Sequence, residues 1–326
     1  MTTGARWGIT IPVEGIPLDR QAEVARELES LGYTDLWSSE GTHADGFTPL
    51  AVAAGVTRHA HLGIAIAPAF TRGPALLAQT AATLAATVPG RFSLGLGSSS
   101  DVIVQRWNAV PFTRPLARTR DLVRFLRRAF AGERVDEQFD TFAVRGFRSS
   151  IVPDPPPRIL VAALRERMLE LAGAEADGAI LNWLSAADVA RVAPLVHAAA
   201  GPNPPARPEI VARLMVVATA DADAARQVGR RAIAAYLNVG VYQAFHRQLG
   251  RDALEPMWKL WAAGDRAGAL AAIPDRVVDE LIVHGHPDAC REHLAEYVAQ
   301  GVDVPVIYLL GTGGDPLRAC RDLAPR

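Results

Sequence analysis

The chain has 326 residues, of which 49% are hydrophobic and 6% aromatic, and its 34 Lys and Arg residues nearly balance 35 Asp and Glu residues. This balance, without a basic stripe, disfavours a nucleic-acid partner, and the longest apolar run is far shorter than the roughly 20 residues that span a bilayer. Two cysteines are too few for a disulfide scaffold, and the start of the chain lacks the apolar stretch of a signal peptide, so we expect a cytoplasmic protein.

Short apolar runs alternate along the chain with segments of 3.6-residue periodicity, which is typical of βαβ units and a parallel sheet. The runs predict strands at residues 7–11, 34–38, 62–67, 92–97, 159–162, 178–181, 211–217 and 304–310. A Rossmann fold would need a glycine fingerprint directly after the first strand, but Pro12-Val13-Glu14-Gly15 stands there. We therefore predict an α/β fold of the (β/α)8 TIM barrel type rather than an open doubly wound sheet.

The helices between these strands carry start and stop signals. Asp19 can cap the first helix, which Gly32 ends, and Gly73-Pro74 opens the third. Pro287 opens a helix near the C terminus. Barrels of this type reach such a length as one unit with insertions, so we expect one domain over residues 1–326.

Two longer segments interrupt the repeat of strands and helices. Residues 132–157 end in a proline-rich stretch and predict an inserted hairpin or a lid. Residues 239–283 have helical patterns of their own and predict a second insertion.

The strand ends carry few charged side chains, and the mouth of a barrel is where its chemistry is found. Of the eight histidines only His43 lies close behind a strand end, which disfavours a metal hydrolase. His284 and His286 could begin a metal site, but no third metal ligand stands in register with them. The sole lysine, Lys259, lies in the second insertion, which disfavours a Schiff-base aldolase. Such a mouth is expected where a bound cofactor supplies the chemistry.

Three loops after strands have the composition of a binding site. Residues 95–100 are mostly glycine and serine and allow a ligand to approach the backbone closely, although a generic strand-to-loop turn is an equal alternative. The turn Ala163-Leu164-Arg165 begins a helix whose free N–H groups could hold phosphate, although a plain helix start is an equal alternative. Residues 311–315 could also bind phosphate, but we interpret them as a loop.

The order of these segments resembles the luciferase-like monooxygenases, and within them the actinobacterial branch that uses the deazaflavin coenzyme F-420. The most specific part of the resemblance is the string Gly-Arg-Phe-Ser-Leu-Gly-Leu-Gly at residues 90–97. Weaker matches at residues 32–40, 47–50, 62–65, 106–108 and 176–179 extend it over nearly the whole chain.

The resemblance implies where the cofactor binds. In similar proteins the cofactor ring rests against a bulge with a non-proline cis peptide at the end of the third strand, which maps to Ala65–Ile66. The cofactor tail and phosphate would lie along the strand-end serines and the helix start after the fifth strand. The implied cofactor-binding residues are Ser39, Ala65, Ile66, Gly97, Ser98, Ser99, Ala163, Leu164 and Arg165.

The proton-transfer residues follow less directly from the resemblance. In the sugar-phosphate dehydrogenases of this branch a catalytic glutamate is the third residue after the Gly-x-Gly, but this chain has Ser100 there. The same relatives have an acid and a histidine after the second strand, where this chain has Ser39-Glu40. The candidate catalytic residues are therefore Glu40, His43 and Asp45, with Ser100 at the altered position.

The resulting hypothesis is hydride transfer between F-420 and an organic substrate, with the second insertion closing over the mouth. F-420 ends in acidic residues, which favours Arg72, Arg165 or Arg167 at the rim. An FMN-dependent monooxygenase using O2 is the first alternative, and a non-catalytic flavin-binding barrel is the second. Relatives are commonly dimers, so a homodimer is the expected assembly.

Overall fold

The computed structural model of the chain describes residues 6–201, 206–311 and 314–325. Eight parallel strands close a barrel in the order β1-β2-β3-β4-β7-β8-β9-β11, and β11 pairs with β1 again. The bounds of the strands are β1 Gly8–Thr10, β2 Asp35–Ser38, β3 His61–Pro68, β4 Phe92–Gly97, β5 Val135–Gln138, β6 Ala143–Phe147, β7 Arg158–Ala162, β8 Gly178–Asn182, β9 Glu209–Val217, β10 Ile282–His284 and β11 Val304–Leu309. The structure confirms the predicted TIM barrel, and each of the eight predicted strands lies in its wall.

Helices follow most of the barrel strands and cover the outside of the barrel. Their bounds are α1 Gln21–Ser30, α2 Thr48–Ala54, α3 Pro74–Thr87, α4 Pro115–Phe130, α5 Glu166–Glu175, α6 Ala186–Ala199, α7 Ala222–Leu237, α8 Gly240–Gln248, α9 Glu255–Ala262, α10 Arg266–Ala271, α11 Asp275–Leu281, α12 Pro287–Ala299 and α13 Pro316–Asp322. Short 3-10 turns span Leu18–Arg20 and Asp252–Leu254, and a π-helical turn spans Val102–Trp107.

The predicted helix signals are confirmed with one exception. Gly32 has a φ of +96° and ends α1, and prolines occupy the first positions of α3 and α12. The prediction for Asp19 was wrong, because Asp19 lies inside the 3-10 turn and no side chain caps α1. The extra turn places the start of α1 two residues beyond the residue that sequence patterns favour as a cap.

The core has two layers on either side of the barrel wall. Inside the barrel, Trp37, Leu160, Ile180, Val211, Val304 and Val306 form a small cluster. Between the wall and the helices lies a much larger cluster of aliphatic and aromatic side chains. Because side chains alternate between the two faces of a strand, each strand contributes to both layers.

Residues 132–157 contain the antiparallel hairpin of β5 and β6. Its Phe139, Phe142 and Phe147 surround Phe125 of α4, with ring centroids 6.3, 6.2 and 5.7 Å from that of Phe125. The hairpin therefore covers the outer side of α4 rather than the mouth of the barrel.

Residues 239–283 contain α8 to α11, which pack with α7 around Met257, Trp258 and Ile273. The indole N–H of Trp258 donates to the carbonyl oxygen of Leu237 at 2.9 Å. The segment leads into β10, which extends the barrel wall by pairing with the end of β9. Its first residues, at the start of α8, face the mouth of the barrel.

Among the described helices, none is both long and apolar enough to cross a membrane.

Candidate active site

A cavity of about 1170 Å³ opens at the carboxyl ends of the barrel strands. The start of α5, the end of α7 and the start of α8 close its sides. Its lining includes eleven of the thirteen residues that the sequence assigned to the site: Ser39, Glu40, His43, Ala65, Ile66, Ser98, Ser99, Ser100, Ala163, Leu164 and Arg165. The other two, Gly97 and Asp45, are not part of the lining.

One wall of the cavity is the end of β3. The Ala65–Ile66 peptide bond is cis, at the position where the sequence predicted it, and the register with β4 shifts between Ile64 and Ala67. The N–H of Glu40 donates to the carbonyl oxygen of Ile66 at 3.3 Å and ties the loop after β2 to this bulge. Residues from β2 and β3 thus form a continuous surface along one side of the cavity.

Gly97 acts on this wall without contacting the cavity. A Cβ atom at Gly97 would lie 3.0 Å from Cγ1 of Ile66 and 3.1 Å from Cβ of Ala162. A Cβ atom here would crowd β3 and β7, so glycine favours the close approach of these strands at the mouth. The sequence predicted that a ligand would approach the backbone at this turn, whereas the groups that approach Gly97 in the structure belong to neighbouring strands.

The N terminus of α5 forms a second wall. Arg165 is its N-cap residue, no side chain caps the helix, and the first N–H groups of a helix have no acceptor within it. Within the described part of the chain, the guanidinium groups of Arg165 and Arg167 have no hydrogen-bond or ion-pair partner, and both residues line the cavity. An anionic group would meet free amides and two available cations here.

Arg72, the third arginine favoured by the sequence, is already occupied. Its Nε donates to Oε1 of Glu40 at 2.9 Å, and its guanidinium lies 4.7 Å from the ring centroid of Phe47. Arg72 is not among the cavity-lining residues. Its ion pair fixes the Glu40 carboxylate in place.

The candidate proton-transfer residues have different surroundings. His43 is exposed on the cavity wall and has no partner among the described residues. The Ser100 hydroxyl accepts the N–H of Ile103 at 3.3 Å and so begins the π-helical turn. Asp45 accepts the N–H groups of Phe47 and Thr48 at 2.9 and 3.1 Å, which caps α2.

The capping bonds also bear on the acidity of Asp45. Burial acts to raise its pKa, but the hydrogen bonds from Thr48 and Phe47 outweigh it and hold the pKa below the ordinary value. At neutral pH Asp45 is an ionised cap outside the cavity, which leaves it no proton to donate.

Three side chains that line the cavity were not predicted from the sequence: Arg213, Tyr308 and Tyr242. Arg213 lies within an apolar strand, and only the charge inside the run Val211–Val217 could have indicated it. Tyr308 places its ring 3.9 Å from the Arg213 guanidinium carbon, and Tyr242 belongs to the second insertion. No local motif marks either tyrosine.

Several buried polar atoms at the cavity lack partners in the described structure. They are Oγ1 of Thr10, Oδ1 of Asn182 and Nε of Arg213. Buried polar atoms normally form hydrogen bonds, so these atoms fit a site that receives a polar ring or a small polar ligand. No group of three metal-ligating side chains occurs in the described ranges, and His284 instead bonds Asp279 at 2.9 Å.

The loop after β11 leads into α13. Thr312 and Gly313 lie outside the described residues, and Asp315 caps α13 by accepting the N–H of Leu317 at 3.0 Å.

A closed barrel with a large cavity at the carboxyl ends of its strands has the architecture of a barrel enzyme, whose chemistry is found at that end. The chain belongs to the luciferase-like monooxygenase family, whose model matches residues 2–304. The resemblance noted in the sequence is thereby confirmed at the family level.

Two proteins that this chain resembles are named for F-420. The chain is 27% identical over 336 residues to a Mycobacterium tuberculosis protein that carries the name coenzyme F-420-dependent oxidoreductase Rv3520c, covering 94% of this chain and 96% of that one. Among solved structures, an F-420-dependent tetrahydromethanopterin reductase from Methanopyrus kandleri superposes with a TM-score of 0.83 at 18% identity, covering 98% and 97% of the two chains.

A structure with FMN shares the same fold. It is the oxygenating constituent of 3,6-diketocamphane monooxygenase from the CAM plasmid of Pseudomonas putida, with a TM-score of 0.69 and 16% identity over 99% and 98% of the chains. At these identities the solved structures establish the common fold.

Proposed function

We propose that the protein is an oxidoreductase that transfers a hydride between coenzyme F-420 and an organic substrate in the mouth cavity. The observation that carries the proposal is the uncapped N terminus of α5, where Arg165 and Arg167 lack partners among the described residues and face the cavity. F-420 has a phosphate and an acidic tail, and both need such a setting.

The lining divides into parts that suit different parts of this cofactor. Ala65 and Ile66 offer an apolar surface for the ring, and Ser98 and Ser99 offer hydroxyl groups beside it. The helix start at Ala163, Leu164 and Arg165 would hold the phosphate. When bound, F-420 supplies a two-electron carrier that accepts or gives a hydride.

The names of relatives support F-420 over FMN without excluding the latter. Rv3520c is named for F-420, and the reductase from Methanopyrus kandleri is F-420 dependent by title. FMN also has a phosphate that suits the start of α5, and a structural neighbour contains FMN. An FMN-dependent monooxygenase using O2 is therefore the second candidate function.

For proton transfer we favour His43 among the four candidates. It is the one with an unpartnered, exposed, titratable side chain on the cavity wall. Glu40 is fixed by Arg72, Asp45 caps α2, and Ser100 begins the π-helical turn. These three residues would position the loops around the substrate.

Fluorescence quenching titrations with F-420 and with FMN test the choice of cofactor. We expect F-420 to bind at micromolar concentration, and added salt to weaken binding because the tail contacts are ionic. The double variant Arg165→Gln/Arg167→Gln should weaken binding at least about tenfold. Arg145→Gln on the outer hairpin removes one exposed charge and serves as the control.

Tight binding of FMN with none of F-420 would reverse the choice. Equal binding by the wild type and the double variant would remove the phosphate site from the start of α5. Binding of either cofactor without turnover of ketones, imines or quinones would support the non-catalytic alternative.

We also propose that the enzyme acts as a cytoplasmic homodimer without a nucleic-acid or membrane partner. The near-balance of charges supports the absence of nucleic acid. Light scattering behind a sizing column should give twice the chain mass of 34.8 kDa, whereas a single chain mass would contradict the dimer.

A further inference from the structure

Arg213 occupies a position where a charged side chain is unusual. It is paired in register with Asn182 on the neighbouring strand β8, so the two side chains point to the same side of the wall. Val211, two residues earlier on β9, belongs to the cluster inside the barrel. Arg213 therefore points inward, directly above that apolar layer, and forms part of the cavity floor with only 8% of its surface exposed.

Within the described part of the chain, no acidic side chain forms an ion pair with this buried guanidinium. Among the described residues Arg213 takes part in no ion pair or side-chain hydrogen bond, and its Nε is buried without a partner. Glu209 on the same strand pairs with Arg6 and Arg158 at the opposite end of the barrel. The contact with the Tyr308 ring compensates the charge only partly, so the site favours an anion from outside the chain.

Tyr242 adds a neutral donor beside Arg213. Burial raises the pKa of Tyr242 to about 12, although nearby Arg213 and the Asn182 side chain act in the opposite direction. The Tyr242 hydroxyl therefore keeps its proton at neutral pH. A guanidinium and a hydroxyl that both donate suit the two oxygens of a carboxylate.

The barrel order separates this cluster from the wall assigned to the cofactor ring. β9 is four strands away from β3 in either direction around the ring of eight. Arg213 thus faces the cis Ala65–Ile66 bulge across the full width of the cavity. A ligand group held by Arg213 would lie on the far side of a ring that rests against β3.

We propose that Arg213 and Tyr242 form a subsite for the carboxylate of the substrate, so that the enzyme acts on small organic acids. This assignment of substrate class rests on the proposed function, but binding of a carboxylate by the subsite does not require the cofactor. Arg213 supplies the charge and Tyr242 the second donor, and the Tyr308 ring packs against the Arg213 guanidinium.

Thermal-shift titrations of the full chain with benzoate and with its neutral isostere benzamide at pH 7.5 test the subsite. The wild type should bind benzoate at least about tenfold more tightly than benzamide. Arg213→Gln should remove this preference, and Tyr242→Phe should reduce it about threefold. Arg145→Gln should keep the wild-type preference.

A wild type without preference for benzoate would overturn the subsite, as would an Arg213→Gln variant that keeps the preference. If Arg213→Gln shows no cooperative unfolding, Arg213→Lys and Tyr242→Phe replace it. Both should then fold and bind benzoate more weakly than the wild type, and wild-type affinity in both would refute the proposal.

Titration of the same variants with F-420 separates this proposal from the cofactor assignment. Arg213→Gln should bind F-420 within about threefold of the wild type, since Arg213 lies across the cavity from the assigned ring wall. Loss of F-420 binding in this variant would assign Arg213 to the cofactor and overturn the substrate subsite. A wild type that prefers benzoate but does not bind F-420 would refute the proposed function and leave the subsite supported.

Discussion

His43 and Glu40 stand three residues apart in one loop, yet their surroundings give them different capacities. Arg72 binds the Glu40 carboxylate, and the backbone N–H of Glu40 donates to the carbonyl oxygen of Ile66. The position of Glu40 is therefore fixed at both its side chain and its backbone. His43 has no such contact among the described residues and lies on the cavity wall. The His43 side chain is therefore available to contact a substrate in the cavity, whereas the Glu40 carboxylate is held against Arg72.

Replacement of His43 by Gln should lower kcat about 100-fold and leave the Kd for F-420 unchanged, because only proton transfer is lost. Steady-state kinetics together with fluorescence quenching measure the two quantities. His59→Gln, which alters an exposed histidine before β3, should behave as the wild type. An unchanged kcat in His43→Gln would remove His43 from the reaction.

His246 predicts a pH-dependent stability. It is fully buried with both ring nitrogens unpartnered, and burial, assisted by the charge of Arg251, lowers its pKa to about 3. Below an unfolded-state pKa of about 6.5 the unfolded chain binds a proton that the folded chain does not, so stability falls as the pH falls toward 3.

Urea unfolding at pH 7 and pH 5.5 measures this effect. When the pH is lowered from 7 to 5.5, His246 should reduce the unfolding free energy of the wild type by about 1 kcal/mol. The unfolding free energy of His246→Leu should fall by about 1 kcal/mol less than that of the wild type over this pH change. That of His59→Gln should fall as much as that of the wild type. An equal loss in His246→Leu would show that His246 is protonated in the folded state.

At the scale of elements, the two inserted segments have separate roles. The hairpin of β5 and β6 shields α4 through aromatic contacts, and none of its residues lines the cavity. The first residues of the second segment, including Val241 and Tyr242, do line it. Substrate contacts are therefore expected from the second segment, and stability from the hairpin.

Phe125→Ala should lower the unfolding free energy by about 3 to 5 kcal/mol, because it leaves a cavity among Phe139, Phe142 and Phe147. Urea unfolding measures the loss, and the Kd for F-420 should stay within about twofold of the wild type. Val152→Ala, at an exposed position of the same segment, should change neither quantity. A large change in Kd in Phe125→Ala would show that the hairpin supports the mouth after all.

The sequence predicted the strands well because barrel strands are short, apolar and separated by helices of regular periodicity. The cis peptide at Ala65–Ile66 was predicted through the family resemblance, since no local pattern of a strand identifies it. The prediction that Asp19 caps α1 was wrong because a short 3-10 turn, which includes Asp19, precedes α1. Local patterns thus fix strands more firmly than helix starts.

At the scale of the whole molecule, closure of the barrel determines which distant residues meet. Arg213 and Tyr308 come from β9 and β11, and Tyr242 comes from an insertion between them. Their proximity depends on strand order and on the path of α7 and α8, which no local pattern encodes. The loops after β2, β4 and β7, by contrast, were predictable because they follow strand ends directly.

The same closure supports one shared cavity for cofactor and substrate. The ring wall at β3, the anion site at α5 and the floor at β9 all border one space of about 1170 Å³. Such a space accommodates an organic cofactor and a small substrate together.

Anaerobic oxidation of reduced F-420 in the presence of small carbonyl compounds, including keto acids, tests this assignment most directly. The absorbance of the oxidised cofactor should appear at a rate proportional to enzyme, and it should do so without O2. Turnover that requires O2 and FMN, or no turnover of bound reduced F-420 with any acceptor, would contradict hydride transfer in this cavity.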